Sequence, residues 1–311
     1  MALHTILGAG GAIGNALVPI LQAENTPIRA VSRGAVPYEG VEAVAADLTD
    51  AEATKKAVSG STVVYLLAGL KYDVRVWSVE WPKIMSNVIQ ACKESSSRLI
   101  FFDNVYMYGP VQGKMTEETA FHPTSAKGRV RADIALQLLN EMQSGSIEAL
   151  IARCADFYGP GGDRTSVPNM FVFAKLAQRK KAQWLYNADV PHSFTYIPDA
   201  ARSLYLLALR DDAFGQTWHL PTAANSITGR DFVSAAAAAM GGPSGLSVMP
   251  KWMVSLGGLF DRAAKEAVEM SYQNELPYIF DSSKFNSAFD FEPTAYNKGI
   301  LQTAESYKDK Q

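Results

Sequence analysis

Three glycines near the start of the chain are spaced for binding a phosphate group. Gly8, Gly11 and Gly14 follow a short apolar stretch, and helix-compatible residues come after them. A glycine between a strand and a helix adopts backbone angles that a β-carbon forbids, and it lets the backbone approach a pyrophosphate. The N–H groups at the start of the helix, at Ala12 and Ile13, then face the anion. The pattern predicts a dinucleotide-binding turn; the alternative is a glycine-rich turn without a ligand.

The second predicted strand ends in a basic residue, at a position where many dinucleotide-binding proteins have an acidic one. Dinucleotide folds that prefer NAD usually place a carboxylate there, which accepts a hydrogen bond from the ribose 2′-OH. In this chain the strand ends in Ser32 and Arg33. A guanidinium can hold a phosphate through its planar fork of donors. The residues therefore favour NADP over NAD, unless Arg33 is a solvated surface arginine.

An alternation of strand-like and helix-like segments must position these residues. Continuous apolar strands separated by helices indicate a parallel sheet covered on both faces, and right-handed crossovers make it doubly wound. The predicted fold class is α/β, a Rossmann-type doubly wound parallel sheet. The predicted strands are residues 5–7, 28–32, 43–45, 63–67, 99–102 and 148–152, and the predicted helices include 51–59, 84–93 and 128–141.

The alternation stops after the glycine-rich residues 159–162, which predicts a second domain. We expect a dinucleotide-binding domain over residues 1–160, to which residues 192–220 return. Residues 161–191 and 221–311 would form a smaller substrate-binding lobe. Ligands of such folds bind outside the carboxyl ends of the strands, so substrate is expected between that edge and the lobe.

Short motifs along nearly the whole chain match one family in their order and spacing. The glycine turn is the first of them. Residues 105–110, Val-Tyr-Met-Tyr-Gly-Pro, are similar to a Val-Tyr-Gly strand end, and residues 153–161 are similar to an Arg-Pro-x-x-x-Tyr-Gly-Pro-Gly stretch. In these motifs the chain resembles the extended short-chain dehydrogenase/reductase family, of the NAD-dependent epimerase/dehydratase type. The resemblance implies a Rossmann fold that binds a nicotinamide cofactor.

The same resemblance implies further cofactor contacts after the third and fourth strands. Asp47 and Leu48 match the acidic pair that the family uses near the adenine. Leu67, Ala68 and Gly69 match the strand end that lies beneath the cofactor.

The catalytic positions of the family are changed in this chain. The family uses Tyr-x-x-x-Lys at the start of a helix; the tyrosine exchanges a proton, and the lysine lowers its pKa and holds the nicotinamide ribose. None of the 13 tyrosines has a lysine four residues later. By order and context, Lys127 takes the place of the tyrosine and Arg131 that of the lysine. Asn104 replaces the family's serine or threonine.

Several mechanisms remain open at these positions. Lys127 could be the acid/base, with a pKa lowered by burial and by Arg131; it could also be an exposed lysine, and Arg131 a surface arginine. Asn104 could hydrogen-bond a substrate oxygen, although it cannot shuttle a proton. Tyr108 or Tyr158 could supply the proton instead, although we expect both to have packing roles. Alternatively, the site binds the nucleotide and has lost proton transfer.

Two further positions bear on the substrate. Nucleotide-sugar members of the family carry an asparagine where this chain has Asp156, whose charge disfavours a pyrophosphate. Many also carry an arginine where this chain has His192. The C-terminal lobe is rich in large apolar side chains, which could line a pocket but are expected mainly to form its core. They are Met249, Trp252, Met253, Leu256, Leu259, Phe260, Met270 and Tyr272.

Composition excludes several other classes of function. The formal net charge of the 311 residues is −2, so no basic surface indicates nucleic-acid binding. Cys92 and Cys154 lack metal-ligand spacing, and no metal is expected. No apolar run reaches the roughly 18 residues that span a bilayer, and the first residues form a strand rather than a signal peptide. We therefore expect a cytoplasmic protein that does not bind membranes.

The leading hypothesis is an NADP-dependent oxidoreductase that acts on a small carbonyl or hydroxyl compound. Its candidate catalytic residues are Asn104, Lys127, Arg131 and Tyr108, and Lys127 would also contact the cofactor. One alternative is an NADP(H)-binding sensor or partner protein without turnover. Another is a nucleotide-sugar epimerase or dehydratase. The sequence is compatible with a monomer or a homodimer.

Overall fold

Strands and helices alternate through the first half of the chain, as predicted. The computed structural model describes residues 2–243 and 245–308. Its first-half elements are β1 His4–Leu7, α1 Ala12–Ala23, β2 Ile28–Ser32, β3 Glu42–Ala45, α2 Ala51–Val58, β4 Val63–Leu66, α3 Val74–Ser95, β5 Arg98–Asp103, β6 Lys114–Met115, α4 Ala126–Gln143 and β7 Ala149–Arg153.

The second half has shorter elements. A single π-helical turn, Asn169–Phe173, precedes α5. The elements are β8 Phe157–Tyr158, α5 Ala174–Ala177, β9 Ala182–Leu185, β10 Pro191–His192, β11 Thr195–Tyr196, α6 Ile197–Ala208, β12 Thr217–His219, β13 Ile227–Thr228, α7 Gly229–Met240, β14 Leu246–Met249, α8 Lys251–Gly257, α9 Arg262–Val268, α10 Tyr272–Glu275, β15 Ile279–Phe280, α11 Ser283–Ala288 and α12 Tyr296–Lys308.

Seven strands form one sheet in the order β12-β7-β5-β4-β1-β2-β3. β1 pairs in parallel with both neighbours, with His4 beside Ile28 on one side and beside Val63 on the other. The chain thus begins in the middle of the sheet and adds strands first to one side and then to the other. The strand order reverses between β1 and β4, and ligands of doubly wound folds bind at such a point. The predicted Rossmann-type class is confirmed.

The local sequence explains why these segments form. β1 and β4 are buried along their whole length, as expected for strands covered on both faces. The helix α1 buries Ile13, Leu17 and Leu21 on one side. The Asp50 carboxylate caps α2 by accepting a hydrogen bond from the Ala53 N–H at 2.9 Å, which satisfies one of the unpaired donors of its first turn.

The chain divides into two units, each made of three segments. The first unit comprises the residues up to Met107, Ala126–Arg153 and Ala201–Trp218. The second comprises Tyr108–Ser125, Cys154–Ala200 and the residues from His219 onwards. The chain therefore passes from one unit to the other five times.

These bounds differ from the predicted domains. The middle segment of the second unit begins at Cys154, where the predicted lobe begins at residue 161, and the return to the first unit begins at Ala201, where residue 192 was expected. The second unit is about as large as the first. It also includes Tyr108–Ser125, because β6 in this segment pairs with β15, with Lys114 beside Ile279. The cofactor and substrate roles of the two units remain predictions. Within the described residues, no helix is long and apolar enough to cross a bilayer.

Candidate cofactor and active site

Gly8 occupies a backbone position that only glycine fits. Its φ is +100°, in the region that residues with a side chain rarely adopt. A β-carbon at this position would lie 2.5 Å from the Cα and N atoms of Ala68. The Gly8 N–H also donates a hydrogen bond to the carbonyl oxygen of Val31 at 2.9 Å. The turn is therefore held tightly between the ends of β2 and β4.

The rest of the turn leads into α1, whose N-cap residue has no side chain. Gly11 is the N-cap residue and makes no side-chain capping bond. The first N–H groups of a helix, here at Ala12, Ile13 and Gly14, have no partner within the helix. Such groups, together with the helix dipole, favour an anion, so the turn fits the diphosphate of a dinucleotide. Gly10 was not among the predicted site residues; its φ is +91°, and a β-carbon there would lie 2.9 Å from Val36 Cγ2.

Arg33 and Asp47 lie at the ends of neighbouring strands β2 and β3. Arg33 is exposed, whereas Ser32 accepts a hydrogen bond at Oγ from the Val36 N–H at 3.2 Å. Hydrogen bonds from the Thr49 N–H and hydroxyl, and the positive charge of Arg33, lower the pKa of Asp47. Asp47 is therefore an ionised acceptor, and Arg33 is the nearby cation.

The sheet brings the predicted cofactor residues to a single edge. The glycine turn follows β1, Arg33 follows β2, Asp47 follows β3, and Leu67–Gly69 follow β4. These four strands are neighbours and run in parallel, so their carboxyl ends lie side by side. Leu67 and Ala68 are half-buried, Gly69 is exposed, and Leu48 is buried.

Asn104 follows β5, the strand next to β4. Its side-chain oxygen accepts a hydrogen bond from the Tyr106 N–H at 3.0 Å. Its own N–H donates to the Asp103 carboxylate at 2.8 Å. Because the oxygen is held by the local backbone, the side-chain NH₂ is the end that can donate to a substrate oxygen.

Lys127 is the second residue of α4, and its side chain is completely buried. Its ammonium nitrogen lies 4.5 Å from the centroid of the Tyr72 ring, in the segment that follows β4. Cation–π contact of this kind stabilises an ammonium group away from water. The interpretation of Lys127 as an exposed lysine is therefore wrong.

Arg131 is also buried, and it is ion-paired. Its Nε donates to Asp103 Oδ1 at 2.8 Å, and its Nη2 donates to the same oxygen. The guanidinium lies 4.5 Å from the centroid of the Trp81 ring and 5.1 Å from that of Phe101. Arg131 is thus not a surface arginine. The compensation of its charge by the Asp103 carboxylate was not predicted from the sequence.

Asp103 connects two arginines in the interior of the first unit. Its carboxylate is fully buried, and its Oδ2 lies 3.9 Å from Nε of Arg153, which is also buried. Asp103 is the last residue of the apolar strand β5 and matches no motif, so its role was not predicted from the sequence. Its position directly before Asn104 was the one available signal.

The two candidate tyrosines belong to the second unit and have different surroundings. The Tyr108 hydroxyl is hydrogen-bonded to His219 Nε2 at 2.7 Å, and His219 Nδ1 lies 2.9 Å from the Asp281 carbonyl oxygen. The Tyr158 hydroxyl is buried among other aromatic rings, and burial is the main cause that raises its pKa. A raised pKa makes the phenol a poorer acid, which agrees with a packing role for Tyr158.

The large apolar residues of the C-terminal region do not form its core. Only Met270 of the eight is buried, with 5% exposure. The others are exposed or half-buried, and Phe260 is 93% exposed. The expected core of the second unit is built instead from aromatic residues of other elements, including Phe173, Trp184 and Phe232. Among residues 2–243 and 245–308, no group of three or more His, Cys, Asp or Glu side chains could hold a metal ion.

Solved structures of nucleotide-sugar enzymes share this fold. The Thermus thermophilus UDP-glucose 4-epimerase, solved with NAD, is 18% identical, with a TM-score of 0.80 over 98% of this chain and 99% of that one. The Thermotoga maritima UDP-glucose 4-epimerase, solved with UDP-glucose, is 16% identical, with a TM-score of 0.82 over 99% of both chains. dTDP-glucose 4,6-dehydratase of Streptomyces venezuelae is 17% identical, with a TM-score of 0.79 over 99% and 97%.

A family comparison identifies the chain more directly. The model of the NAD dependent epimerase/dehydratase family matches residues 4–220, which include the glycine turn, Asn104, Lys127 and Arg131. Among curated proteins, none matches this sequence. The fold, the strand-end residues and the family model agree, and the chain belongs to the NAD-dependent epimerase/dehydratase family.

Proposed function

We propose that the protein is an NADP(H)-dependent oxidoreductase that acts on a small carbonyl or hydroxyl compound. The observation that carries the proposal is the fully buried ammonium of Lys127, at the start of α4, where the family has its proton-transferring tyrosine. A buried cation is costly unless the site uses or compensates its charge. Its contact with Tyr72 ties it to the segment that also contains Leu67–Gly69.

The residues at the carboxyl edge of the sheet are assigned to the cofactor. The turn from Gly8 to Gly14 would hold the diphosphate, and Asp47 and Leu48 would lie near the adenine. Arg33 would bind the 2′-phosphate, which favours NADP over the NAD of the structural relatives. When bound, the nicotinamide supplies a hydride to the substrate carbon or accepts one from it.

The protein supplies orientation and a proton. In the reductive direction, Lys127 Nζ donates a hydrogen bond to the substrate carbonyl oxygen and transfers a proton to it as the carbon–oxygen double bond is reduced. The Asn104 NH₂ donates a second hydrogen bond to the same oxygen and fixes its position. In the oxidative direction, Lys127 must be neutral first and takes the proton from the hydroxyl.

Arg131 and Tyr108 are assigned lesser roles. Because Arg131 donates two hydrogen bonds to Asp103, it would position the start of α4 and the Asp103–Asn104 segment. Tyr108 remains a second candidate proton donor, with His219 placed to exchange a proton with its hydroxyl. The small-molecule substrate, a cytoplasmic location and a monomeric or homodimeric state remain parts of the proposal.

Kinetics of a Lys127→Met variant test this assignment. Purified protein is assayed with NADPH and a panel of small aldehydes and ketones, and cofactor binding is followed separately by NADPH fluorescence. We expect Lys127→Met to lower kcat by about 100-fold, within the range of general-acid catalysis, with a much smaller loss of NADPH affinity, since Lys127 is also expected to contact the cofactor. Lys83→Met, on the exposed side of α3, serves as the control. Wild-type activity in Lys127→Met would contradict the proposal.

The sensor without turnover is the second candidate function. It is favoured by the ion pair that occupies Arg131, because the family's lysine at this position contacts the ribose. Such a protein would bind NADPH tightly and reduce no compound of the panel. It would also bind a partner protein with an affinity that depends on the redox state of the cofactor.

A nucleotide-sugar substrate is the third candidate. It is favoured by the structural neighbours, which include UDP-glucose and dTDP-glucose enzymes. It is opposed by Asp156 and His192, which replace two groups that hold such substrates in the family. Calorimetric titration with UDP-glucose distinguishes it from the leading proposal.

A further inference from the structure

The second unit exposes five large apolar side chains on one face of α8 and of the turn that follows it. Trp252 is 63% exposed, Leu259 74% and Phe260 93%, and Met253 and Leu256 are also exposed. Their spacing of i, i+1, i+4, i+7 and i+8 places them on one side of a helix, and i→i+3 hydrogen bonds continue up to Phe260. These five residues form the apolar face of α8. Monomeric proteins rarely expose a contiguous apolar patch of this kind, so it marks an interaction surface.

The apolar face is turned away from the helix that packs against α8. Val254, Gly257 and Gly258 are half-buried, and their spacing places them on the opposite side of α8. The two helices approach closely there, because a β-carbon at Gly258 would lie 2.9 Å from the Cα atom of Lys265 in α9. α8 therefore packs through small residues and presents its large apolar side chains to the solvent.

A basic cluster lies beside the strand that leads into α8. It consists of Lys175, Arg179, Lys180 and Lys181, of which the last three are exposed. No acidic residue occurs from residue 174 to residue 188. The cluster directly precedes β9, which pairs in parallel with β14, and α8 begins two residues after β14. Because a strand of four residues is about 13 Å long, the cluster lies about that far from the start of α8.

An apolar face close to a basic cluster combines the two contributions that hold a protein on a membrane surface. Tryptophan and phenylalanine enter the boundary between headgroups and acyl chains. Lysine and arginine attract anionic headgroups over a Debye length of about 10 Å. A second copy of the chain would bring a second basic cluster, so charge repulsion disfavours it as the occupant of this face.

We propose that the apolar face of α8 and the basic cluster bind the anionic surface of a lipid bilayer. The apolar side chains would lie among the headgroups without crossing the bilayer, and the basic cluster would face the anionic lipids. This departs from the expectation that the protein does not bind membranes. It is independent of the proposed cofactor chemistry, since it involves neither the glycine turn nor Lys127.

Sedimentation with lipid vesicles, without cofactor, tests the proposal. The probes are vesicles of phosphatidylcholine and phosphatidylglycerol in equal parts, and vesicles of phosphatidylcholine alone. We expect the wild-type protein to bind the anionic vesicles at least about tenfold more tightly, and high salt should weaken this binding. Of the five tryptophans, Trp252 is exposed and the other four are buried. A shift of the tryptophan emission to shorter wavelengths should therefore accompany binding.

Two double variants separate the apolar contribution from the electrostatic one. Trp252→Ser/Phe260→Ser should weaken binding to the anionic vesicles at least about tenfold, because two interfacial side chains are lost. Lys180→Gln/Lys181→Gln should weaken the same binding about tenfold and leave the weak binding to phosphatidylcholine unchanged. The controls are Leu301→Ser and Lys298→Gln, at exposed positions of α12, which should bind like the wild type.

Three results would overturn the proposal. The first is that the wild type does not bind the anionic vesicles, and the second is that Trp252→Ser/Phe260→Ser binds them as tightly as the wild type. The third is a dimer, seen by analytical ultracentrifugation without lipid, that this variant dissociates, because the face would then be covered by a second copy. Circular dichroism checks that both double variants are folded. Vesicle binding without NADPH-dependent turnover would instead count against the proposed function alone.

Discussion

The glycine turn and the first residues of α4 each lie at the N-terminal end of a helix of the first unit, yet they are built differently. The turn is specified by the backbone, because Gly8 has a positive φ and leaves no room for a β-carbon. The start of α4 is specified by side-chain partners. Lys127 lies against Tyr72, and Arg131 is bonded to Asp103.

The difference separates what a family member must retain from what it can change. A turn that holds a diphosphate through N–H groups has few alternatives, because any side chain would occupy the space of the backbone. A proton donor can be exchanged when another charged group is compensated in the same place. In the proposed assignment, this chain retains the glycine turn and has Lys127 in place of the family's tyrosine.

The largest effect on stability is expected from breaking the ion pair between Arg131 of α4 and Asp103 of β5. Arg131→Met leaves the buried Asp103 carboxylate with the Asn104 N–H and the more distant Arg153, and loss of one partner of a buried ion pair costs about 3–5 kcal/mol. Urea unfolding of the wild type and the variant measures this loss. A matched control is Arg129→Met, an exposed position on the same helix. If Arg131→Met were as stable as the wild type, α4 would not depend on side-chain partners, and the comparison would fail.

Gly8→Ala should have the next largest effect. Strain from the positive φ, together with a β-carbon 2.5 Å from Ala68, should lower the free energy of unfolding by about 3 kcal/mol. NADPH binding should be lost even where the variant is folded. Gly34→Ala serves as the control, since no atom lies within 4 Å of its added β-carbon. Thermal unfolding and NADPH fluorescence measure both effects, and normal cofactor binding by Gly8→Ala would break the comparison.

His4, in the strand that leads into the glycine turn, should make stability depend on pH. Burial lowers its pKa from 6.5 to about 4, and its Nδ1 is 2.9 Å from the Tyr65 hydroxyl. Between these values the unfolded chain binds more protons than the folded one, so stability falls as the pH is lowered below 6.5. The loss at pH 5 is about 2 kcal/mol.

Urea unfolding at pH 7 and pH 5 measures this loss. The variant His4→Gln should show a smaller difference between the two pH values than the wild type. His122→Gln, at an exposed position, should behave like the wild type. An unchanged pH dependence in His4→Gln would show that another group is responsible.

The smallest of these effects concerns Arg33. Removing its guanidinium in Arg33→Ala should weaken NADPH binding about tenfold, because a charge-assisted phosphate contact is lost, and should leave NADH binding nearly unchanged. Fluorescence titrations with both cofactors measure the ratio. Equal weakening of NADPH and NADH would remove the argument for NADP.

Much of the fold was predictable because it follows local rules. The apolar strands and the glycine turn depend on nearby residues and on periodicity, and the sheet formed as expected. The domain bounds were less predictable, because the pairing of Lys114 with Ile279 joins residues far apart in the sequence.

The candidate site was only partly predictable for the same reason. The positions of Lys127 and Arg131 followed from motif order, but their burial and the role of Asp103 depend on packing between β5 and α4. The exposure of Trp252 and Phe260 shows the same limit, since an apolar composition alone does not say which residues become core.

The five passages of the chain between its two units have an evolutionary consequence. Each unit is assembled from three separated segments, so a single recombination between related genes cannot replace one unit and keep the other whole. A change confined to one unit of such a chain therefore arises by substitution in place, within segments that alternate with those of the other unit. The same interleaving means that no contiguous fragment of the gene encodes either unit complete.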